Sequence, residues 1–400
     1  MKAKILIAGA GLGGLTAALA LLRQGHEVQV LEQAAQLSEV GAGLQLSANA
    51  TRVLEGMELA APLRAVASEP AGKEVRLWST GQTWKLFDLG AESIAQYGHP
   101  YYTIYRPDLH RLLVEAVEAA RPGAIVLGAR CTGFEEAGDS VTVSTEDARR
   151  FAGDVLVGAD GVHSRIRRQL FGGDEPVFSG CLAWRGVIPS ERLPERLRRP
   201  VGTNWIGPGG HVIHYPLRRG ELVNFVGIVE RSDWTVESWT AAGTVEECVR
   251  DFAGWHEDVH TLIRSLEVPY KWALMQREPM ARWSRGRVTL LGDACHPTLP
   301  FLAQGAAMAI EDGAMLARCL AAPDAGDLPA ALRRYQDARM ERTRAIVLRS
   351  AENARRFHNP ALASAEGAVQ YVDREWAEAK VRERYHWLFD YKVDQVPLPA

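Results

Sequence analysis

The sequence predicts an α/β chain: a parallel-sheet, nucleotide-binding part interrupted by a mostly antiparallel sheet and followed by a helical tail. Three observations predict it. A glycine-rich turn follows an apolar strand near the N-terminus. Strand-like segments without intervening helices fill residues 177–230. A buried, parallel-type strand then returns at residue 288, with helical patterns running from there to about residue 390.

The first element is "ILIAGAGLGGLTAALALL", residues 5–22, which carries no charge. Such a run is long enough to span a bilayer, and with Lys2 and Lys4 before it the run also has the outline of a secretory signal. The glycines argue otherwise. Ile5–Ala8 reads as a buried strand, Leu15–Leu22 as a helix, Gly25 as its stop, and Glu27–Leu31 as a second strand ending at Glu32. G-A-G-L-G-G therefore lies inside a βαβ unit, with an acid about 20 residues on. Gly9 permits the tight turn, Gly11 lets the backbone approach a pyrophosphate, and Gly14 lets the helix pack close to the strand. The helix N-terminus offers free N–H groups to phosphates, and Glu32 suits a pair of ribose hydroxyls.

Composition narrows the class. The 400 residues imply two or three domains, and 47% hydrophobic residues suffice for substantial cores. A net charge of −3 argues against a nucleic-acid partner. No other apolar run approaches membrane length, so no membrane partner is expected. The five cysteines (131, 181, 248, 295 and 319) form no CxxC pair and fit reduced thiols in the cytoplasm.

Along the chain, residues 73–90 read as a hairpin around Thr80-Gly81. Arg106–Ala119 reads as a helix with Pro107 in its first turn and Leu109, Leu112, Leu113, Ala116 and Val117 on one face. Residues 124–157 read as four short strands, the last being "DVLVGADG". Turns are expected at 207–210 and at Arg219-Gly220, and helix over 245–266. "RVTLLGDACHP" reads as a buried strand before a helix from Gly305 to Ala321, "AAPDAGDLP" as a linker, and 329–357 and 365–390 as helical. The expected divisions are a nucleotide-binding domain in three pieces (1–72, 101–175, 281–325), a substrate domain in two (73–100, 176–280), and a helical C-terminal region (326–400).

Three glycine/acid sites lie far apart in sequence: 9–14 with Glu32, Asp160-Gly161, and Gly292-Asp293, the last two each following a buried strand. Ligands in such folds bind beyond the carboxyl ends of the strands, so all three are expected to converge on one extended cofactor. A flavin dinucleotide fits, with Asp293 accepting from a ribityl hydroxyl.

"GAGLGG…LEQ", "YRPDLH", "GADGVHSRIRR" and "LLGDACHPTLPFLAQGAAMAIEDGAMLARCL" together resemble the single-component (class A) FAD-dependent aromatic hydroxylases. In particular they are similar to the salicylate hydroxylase, 3-hydroxybenzoate 6-hydroxylase and 6-hydroxynicotinate 3-monooxygenase groups. The resemblance runs from residue 1 to about 390. It implies a Rossmann-like FAD-binding domain interrupted by a β-sheet substrate domain, of the para-hydroxybenzoate hydroxylase type. It implies that Gly9, Gly11, Gly14, Glu32 and Gln33 hold the ADP half of FAD, and that Cys131 meets the adenine by its backbone. Arg106 and Asp293 would serve the phosphate and ribityl region, and Asp160 the FAD surroundings and NAD(P)H. Gln45, Gly292, Gly305 and Ala306 complete the cofactor set, with the loop 297–306 beside the isoalloxazine and the next helix aimed at its N1/C2=O edge.

The implied chemistry is hydroxylation of a small phenolic acid with NADH or NADPH and O2 through a flavin C4a-hydroperoxide. Deprotonating the phenol enriches the ring, a task suited to histidine. In "GGHVIHYPLRRG", strand alternation puts His211, Ile213 and Tyr215 on one face and His214 on the other. The H-x-x-x-Y spacing matches that of the 3-hydroxybenzoate and 6-hydroxynicotinate enzymes, which implies His211 as base and Tyr215 as an orienting hydroxyl. The opposing reading makes His211 a solvent-side strand residue. The sequence departs from these relatives at Pro300, where the 3-hydroxybenzoate enzyme has Gln. It departs at Gln45 and Phe301, where the 6-hydroxynicotinate enzyme has His. Arg185 is read as serving either the substrate carboxylate or the domain interface. Salicylate or 3-hydroxybenzoate is the favoured substrate. A hydroxypyridine carboxylate, a non-hydroxylating flavin oxidoreductase and a flavin redox sensor are the alternatives, and a homodimer would use the helical tail.

Three further patterns are read as structural. "HEDVH" (256–260) matches a zinc-protease pattern, but Phe252, Trp255, Val259 and Ile263 form a core stripe, and no metal is expected. The eight arginines of 333–356 are interrupted by acids and read as a solvated helix face. Trp234 and Trp239 read as packing residues.

Overall fold

The computed structural model describes residues 2–37, 41–173, 175–233, 241–322 and 326–399. Its first layer is a six-stranded sheet in the order Ser284–Arg285, Val288–Leu290, Val155–Gly158, Lys4–Ala8, Glu27–Leu31, Ile125–Val126. All neighbours are parallel except the first pair. The central strands are apolar on both faces because helices cover them. Leu12–Arg23 packs between the helices Arg106–Ala120 and Gly305–Leu320. Small residues allow the close approach: a Cβ on Gly313 would meet the backbone nitrogen of Ala17 at 2.7 Å.

The second layer is a seven-stranded sheet in the order Tyr270–Gln276, Val177–Pro189, Leu222–Glu230, Gly210–Leu217, Val201–Gly207, Gly72–Leu77, Thr83–Asp88. It is antiparallel except where Val201–Gly207 runs parallel to Gly72–Leu77. Its strands alternate cleanly. Cys181, Ala183, Ile206 and Ile228 face one core with Leu299, Phe301 and Phe357. Leu182, Trp184, Trp205 and Val212 face another, under the helices Val245–Asp251 and Glu257–Arg264. The nucleotide-binding sheet, the interrupting sheet and the helical tail are thus all present, as the fold class requires.

Local expectations fared unevenly. The hairpin turns with Gly81 at φ +72°, and the turns at Gly209 and at Arg219-Gly220 also take positive φ. The region from Ile125 to Gly158 holds five strands, not four. Residues 245–266 form two helices, broken around Gly254 at φ +81°, and 365–390 splits into Ala365–Glu375 and Glu378–Phe389. Arg333–Arg356 lies in the helix Leu328–Phe357, yet it is not simply a solvated face: Arg339 is fully buried. No described helix is long and apolar enough to cross a membrane.

Candidate active site

A cleft runs from the carboxyl ends of the parallel strands to the inner face of the seven-stranded sheet. Gly11–Gly14 stand at one end of its lining, and His211, Ile213 and Tyr215 at the other.

At the first end, Gly9 takes φ +107° and its N–H donates to the carbonyl of Leu31 at 2.8 Å. A Cβ on Gly14 would fall 2.1 Å from the Gly9 carbonyl oxygen, so no other residue fits there without a shift. A Cβ on Gly11 would meet nothing within 4 Å, so at this position the chain leaves the backbone open to a ligand. The helix beginning at Leu12 has no side-chain cap and no acid in its first turn. Its first N–H groups and positive end therefore face the cleft unneutralised, which suits a pyrophosphate. Glu32 is held by Ala10 and Ala34, whose N–H groups each donate to one carboxylate oxygen at 2.8 Å, leaving acceptor capacity on both. Exposed Gln33 follows it. Cys131 lies near Glu32 and Asp160, and burial, with those two charges, pushes its thiol up to about 12, so it is no nucleophile. Asp160 is turned to local structure: it accepts from Ser164 Oγ at 2.5 Å and from Arg165 N at 2.7 Å, at the start of the helix Arg165–Phe171. Glu32, Gln33, Cys131 and Asp160 lie off the central cleft lining, whereas Gly161 is part of it.

In the middle of the cleft stand Gln45, Arg106, Gly292 and Asp293. Asp293 opens to the cleft yet is ringed by protein. Desolvation pushes its carboxyl up, opposed by His296 and Arg106. Gly292 takes φ +64° and donates its N–H to Asp312 Oδ2 at 3.1 Å. The loop from Pro297 passes along the lining, with Pro300 opening a 3-10 turn and Ala303 in the left-handed region at φ +54°. Gly305 and Ala306 then begin a helix without a side-chain cap, whose N-terminal end reaches the cleft. An uncapped glycine cradle, a held acid, a second acid-bearing turn and a second helix N-terminus therefore line one elongated cleft. That donor set fits a dinucleotide carrying a polar chain and an anionic ring.

At the sheet end, strand alternation places His211, Ile213 and Tyr215 toward the cleft. His214 points to the other side, where burial together with Arg76 and Arg199 lowers it to about 3. His211 is 0% exposed, so it is not a solvent-side residue. Its ring packs against Phe357 and Phe301, at 4.9 and 5.5 Å between centroids. Its Nδ1 lies 2.7 Å from Nε2 of His358, while its own Nε2 has no hydrogen-bond partner. Burial, then the neighbouring His358, holds His211 well below the usual histidine range, and so neutral. Tyr215 is buried, and burial pushes its hydroxyl above the usual tyrosine range, opposed by the nearby side chains of Gln45 and Asn224. Asn224 in turn accepts from Gly43 N at 2.6 Å, and Gln45 accepts from the Tyr101 hydroxyl at 2.7 Å. Arg185 is 4% exposed, with its guanidinium 4.7 Å from the centre of the Trp272 ring. Desolvation and Arg106 lower it to about 10, which leaves it cationic at neutral pH. A fixed, planar cation on an aromatic wall suits a carboxylate.

His358, Glu230, Asn224, Tyr101 and Trp272 were not singled out in the sequence. Nor was the buried charge cluster behind the cofactor helix, where Glu311 and Asp312 meet Arg339, Arg342 and His296. Two adjacent acids in the apolar stretch "AAMAIEDGAML" were a signal that could have found it. Among the described residues no cluster could hold a metal. His256 instead caps the helix 257–264 and stacks on Trp205 at 5.2 Å. Trp234 and Trp239 lie outside the described residues.

Comparison with known proteins bears on this geometry. Residues 2–350 match the family model described as an FAD binding domain. The chain is 41% identical over 396 residues to the 3-amino-4-hydroxybenzoate 2-monooxygenase PtnB3 of Streptomyces platensis, covering 99% of this chain and 98% of that protein. It is 36% identical to the 3-hydroxybenzoate 6-hydroxylase of Polaromonas naphthalenivorans, over 97% of this chain and 96% of that one. The fold is similar to that of Klebsiella pneumoniae HpxO, crystallised with FAD and uric acid. The TM-score is 0.82 and the identity 26%, with 98% of this chain and 96% of that one covered.

Proposed function

This chain belongs to the FAD-binding-domain family and is an FAD-dependent aromatic monooxygenase, and we propose that its substrate is a small phenolic carboxylic acid, hydroxylated with NAD(P)H and O2. One observation carries the substrate class: a neutral, buried histidine with a bare ring nitrogen and a buried arginine line the same aromatic-walled end of the cleft. The first can accept a phenolic proton and the second can hold a carboxylate.

When bound, FAD supplies the redox chemistry, taking two electrons from NAD(P)H and delivering one atom of O2 to the ring while the other leaves as water. The protein's part is binding, orientation and proton handling. Gly11 and the helix from Leu12 would hold the pyrophosphate, Glu32 the ribose, and Arg106 with Asp293 the phosphate and ribityl region. The helix from Gly305 would present its positive end to the bound flavin ring and so favour negative charge on it. His211 Nε2 takes the phenolic proton, so that the ring attacks in its electron-rich form. Tyr215, buried beside Gln45 and Asn224, orients the oxygen, and Arg185 fixes the acid group.

Among phenolic acids, 3-amino-4-hydroxybenzoate ranks first on similarity to the Streptomyces enzyme. Next come 3-hydroxybenzoate and salicylate, the substrates that the sequence motifs favour. The test is NADH oxidation by the purified yellow protein in air, with and without these three acids and 6-hydroxynicotinate, with products identified by mass. Stimulated oxidation with a product heavier by one oxygen, or its decarboxylated form, is expected with a phenolic acid. Stimulation by 6-hydroxynicotinate alone would move the substrate to the hydroxypyridines. Oxidation that yields only reduced oxygen, whatever acid is added, would overturn hydroxylation.

A further inference from the structure

We infer that Glu230, His358 and His211 form a proton relay connecting the substrate's phenolic oxygen with the protein surface. The inference rests on the reading of His211 as the group that meets the phenol. It adds two residues that do not line the cleft.

The chain of contacts is continuous. Glu230 Oε1 lies 2.9 Å from His358 Nδ1, and His358 Nε2 lies 2.7 Å from His211 Nδ1. The Glu230 side chain is 57% exposed, whereas His358 and His211 are buried. One end of the series thus touches water, and the other, His211, lines the cleft.

Hydrogen-bond chemistry sets the direction. A carboxylate only accepts, so His358 must carry its proton on Nδ1. A neutral imidazole has one N–H, which leaves His358 Nε2 as an acceptor. His211 must then donate from Nδ1, and its Nε2 is left bare. That atom is the one with no partner in the structure. The acceptor left on His211 Nε2 is therefore specified by a carboxylate two residues away in the relay, much as a buried acid sets a histidine tautomer in a hydrolase triad.

The surroundings leave the relay little competition. Among the described residues, the rings against His211 besides His358 are those of Phe301 and Phe357. His358 closes the helix Leu328–Phe357, and its carbonyl accepts from Gly209 N at 3.3 Å, which ties it to the turn before the His211 strand. Glu230 also faces the Cys181 thiol, which burial and Glu230 push up to about 11. Arg231 is engaged by Asp233 and Asp251. His358 also lies beyond residue 350, where the family match ends.

The step balances as proton movement alone. The phenolic proton goes to His211 Nε2, the Nδ1 proton of His211 goes to His358 Nε2, and the Nδ1 proton of His358 goes to Glu230, from which water takes it. The reverse sequence returns a proton to the product and restores both tautomers. His358 and Glu230 act through His211 and are positioning residues in that sense.

Two measurements on the FAD-loaded protein test this. The first needs no substrate. Nitrogen-15 histidine spectra, assigned with His358→Gln and Glu230→Gln, should show both His211 and His358 protonated on Nδ1. An Nε2–H tautomer at either residue overturns the relay. The second uses whichever phenolic acid of the panel is hydroxylated. In H2O/D2O mixtures the wild-type rate should show several protons in flight, and His358→Gln only one. Glu230→Gln should slow turnover roughly 10-fold at low buffer, with KM unchanged and the rate restored by added imidazole. An unchanged proton inventory in His358→Gln, together with an unchanged rate in Glu230→Gln, would also overturn it. If no acid is hydroxylated, the substrate reading has failed and the tautomers alone decide the relay.

Discussion

Arg339 Nε lies 2.7 Å from Asp312 Oδ1, and both side chains are fully buried. The pair ties the long tail helix to the helix that points its N-terminus into the cleft. Glu311 takes the other arm of Arg339 at 2.6 Å and also receives Arg342 at 2.8 Å. Removing one member of such a cluster strands its partners without water. Arg339→Met should cost about 3–5 kcal/mol, read as a lower urea midpoint. Adding Glu311→Gln and Asp312→Asn to the same chain should recover part of the loss. A single substitution that leaves the midpoint unchanged would show that the cluster is not a keystone.

The same cluster gives a pH dependence. Burial alone would push Asp312 up, but His296 and Arg339 outweigh it and hold the carboxyl at about 2. Its folded pKa is thus below its unfolded one, so its contribution is present above about 4 and is lost as pH falls toward 2. Burial alone would lower His296, yet Cys295 and Asp312 raise it well above 6.5. Its contribution is therefore full below about 6.5 and fades as pH climbs through the raised value. Urea midpoints across the pH range should fall at both ends. Asp312→Asn should flatten both limbs.

Replacing His211 separates binding from turnover. His211→Ala should retain FAD, because the cradle around Gly11 and Glu32 is remote from the sheet end, and should lower product formation roughly 100-fold. Flavin absorbance per protein and product yield per NADH consumed check the two halves. Unimpaired turnover would remove His211 from the mechanism.

The two glycines of the cradle should fail differently. Gly14→Ala drives a methyl into the Gly9 carbonyl at 2.1 Å, so the turn itself must shift, and lower stability should accompany lost flavin. Gly11→Ala meets no protein atom within 4 Å. Its apoprotein should melt as the wild type does, while flavin affinity falls. Thermal melts with and without FAD separate the cases.

Arg185→Gln tests carboxylate recognition. Substrate Kd, followed by perturbation of the flavin spectrum, should rise roughly 10- to 100-fold, as loss of a charge-assisted pair of about 1.5–3 kcal/mol requires. A phenol lacking the carboxylate should bind both proteins alike. Equal losses for both ligands would assign Arg185 to holding the sheet against its neighbours.

Periodicity and turn chemistry carried much of this architecture. Gly9–Gly14 and Glu32 were legible because strand, turn and helix each announce themselves locally. The shared face of His211 and Tyr215 followed from the two-residue repeat of a strand. The break at Gly254 escaped because the apolar stripe continues across it, from Phe252 to Val259, with helical spacing. His358 and Arg339 escaped for another reason: what makes each matter is a partner distant in sequence. His358 meets a ring 147 positions away, and the arginine run reads as surface until the acids of another helix are set against it. Alternation shows which way a side chain points and is silent about what waits there.

The order of strands in the nucleotide-binding sheet has a consequence for how the chain is made. The strand Lys4–Ala8 sits between Val155–Gly158 and Glu27–Leu31, and the neighbour beyond Val155–Gly158 is Val288–Leu290. During synthesis at ~5–20 residues per second, the first strand meets Glu27–Leu31 early but waits many seconds longer for Val155–Gly158. Through that interval its apolar run "ILIA" has one flank unpaired. Strand order thus delays completion of this sheet until most of the chain has been made, because Val288–Leu290 is one of its six strands.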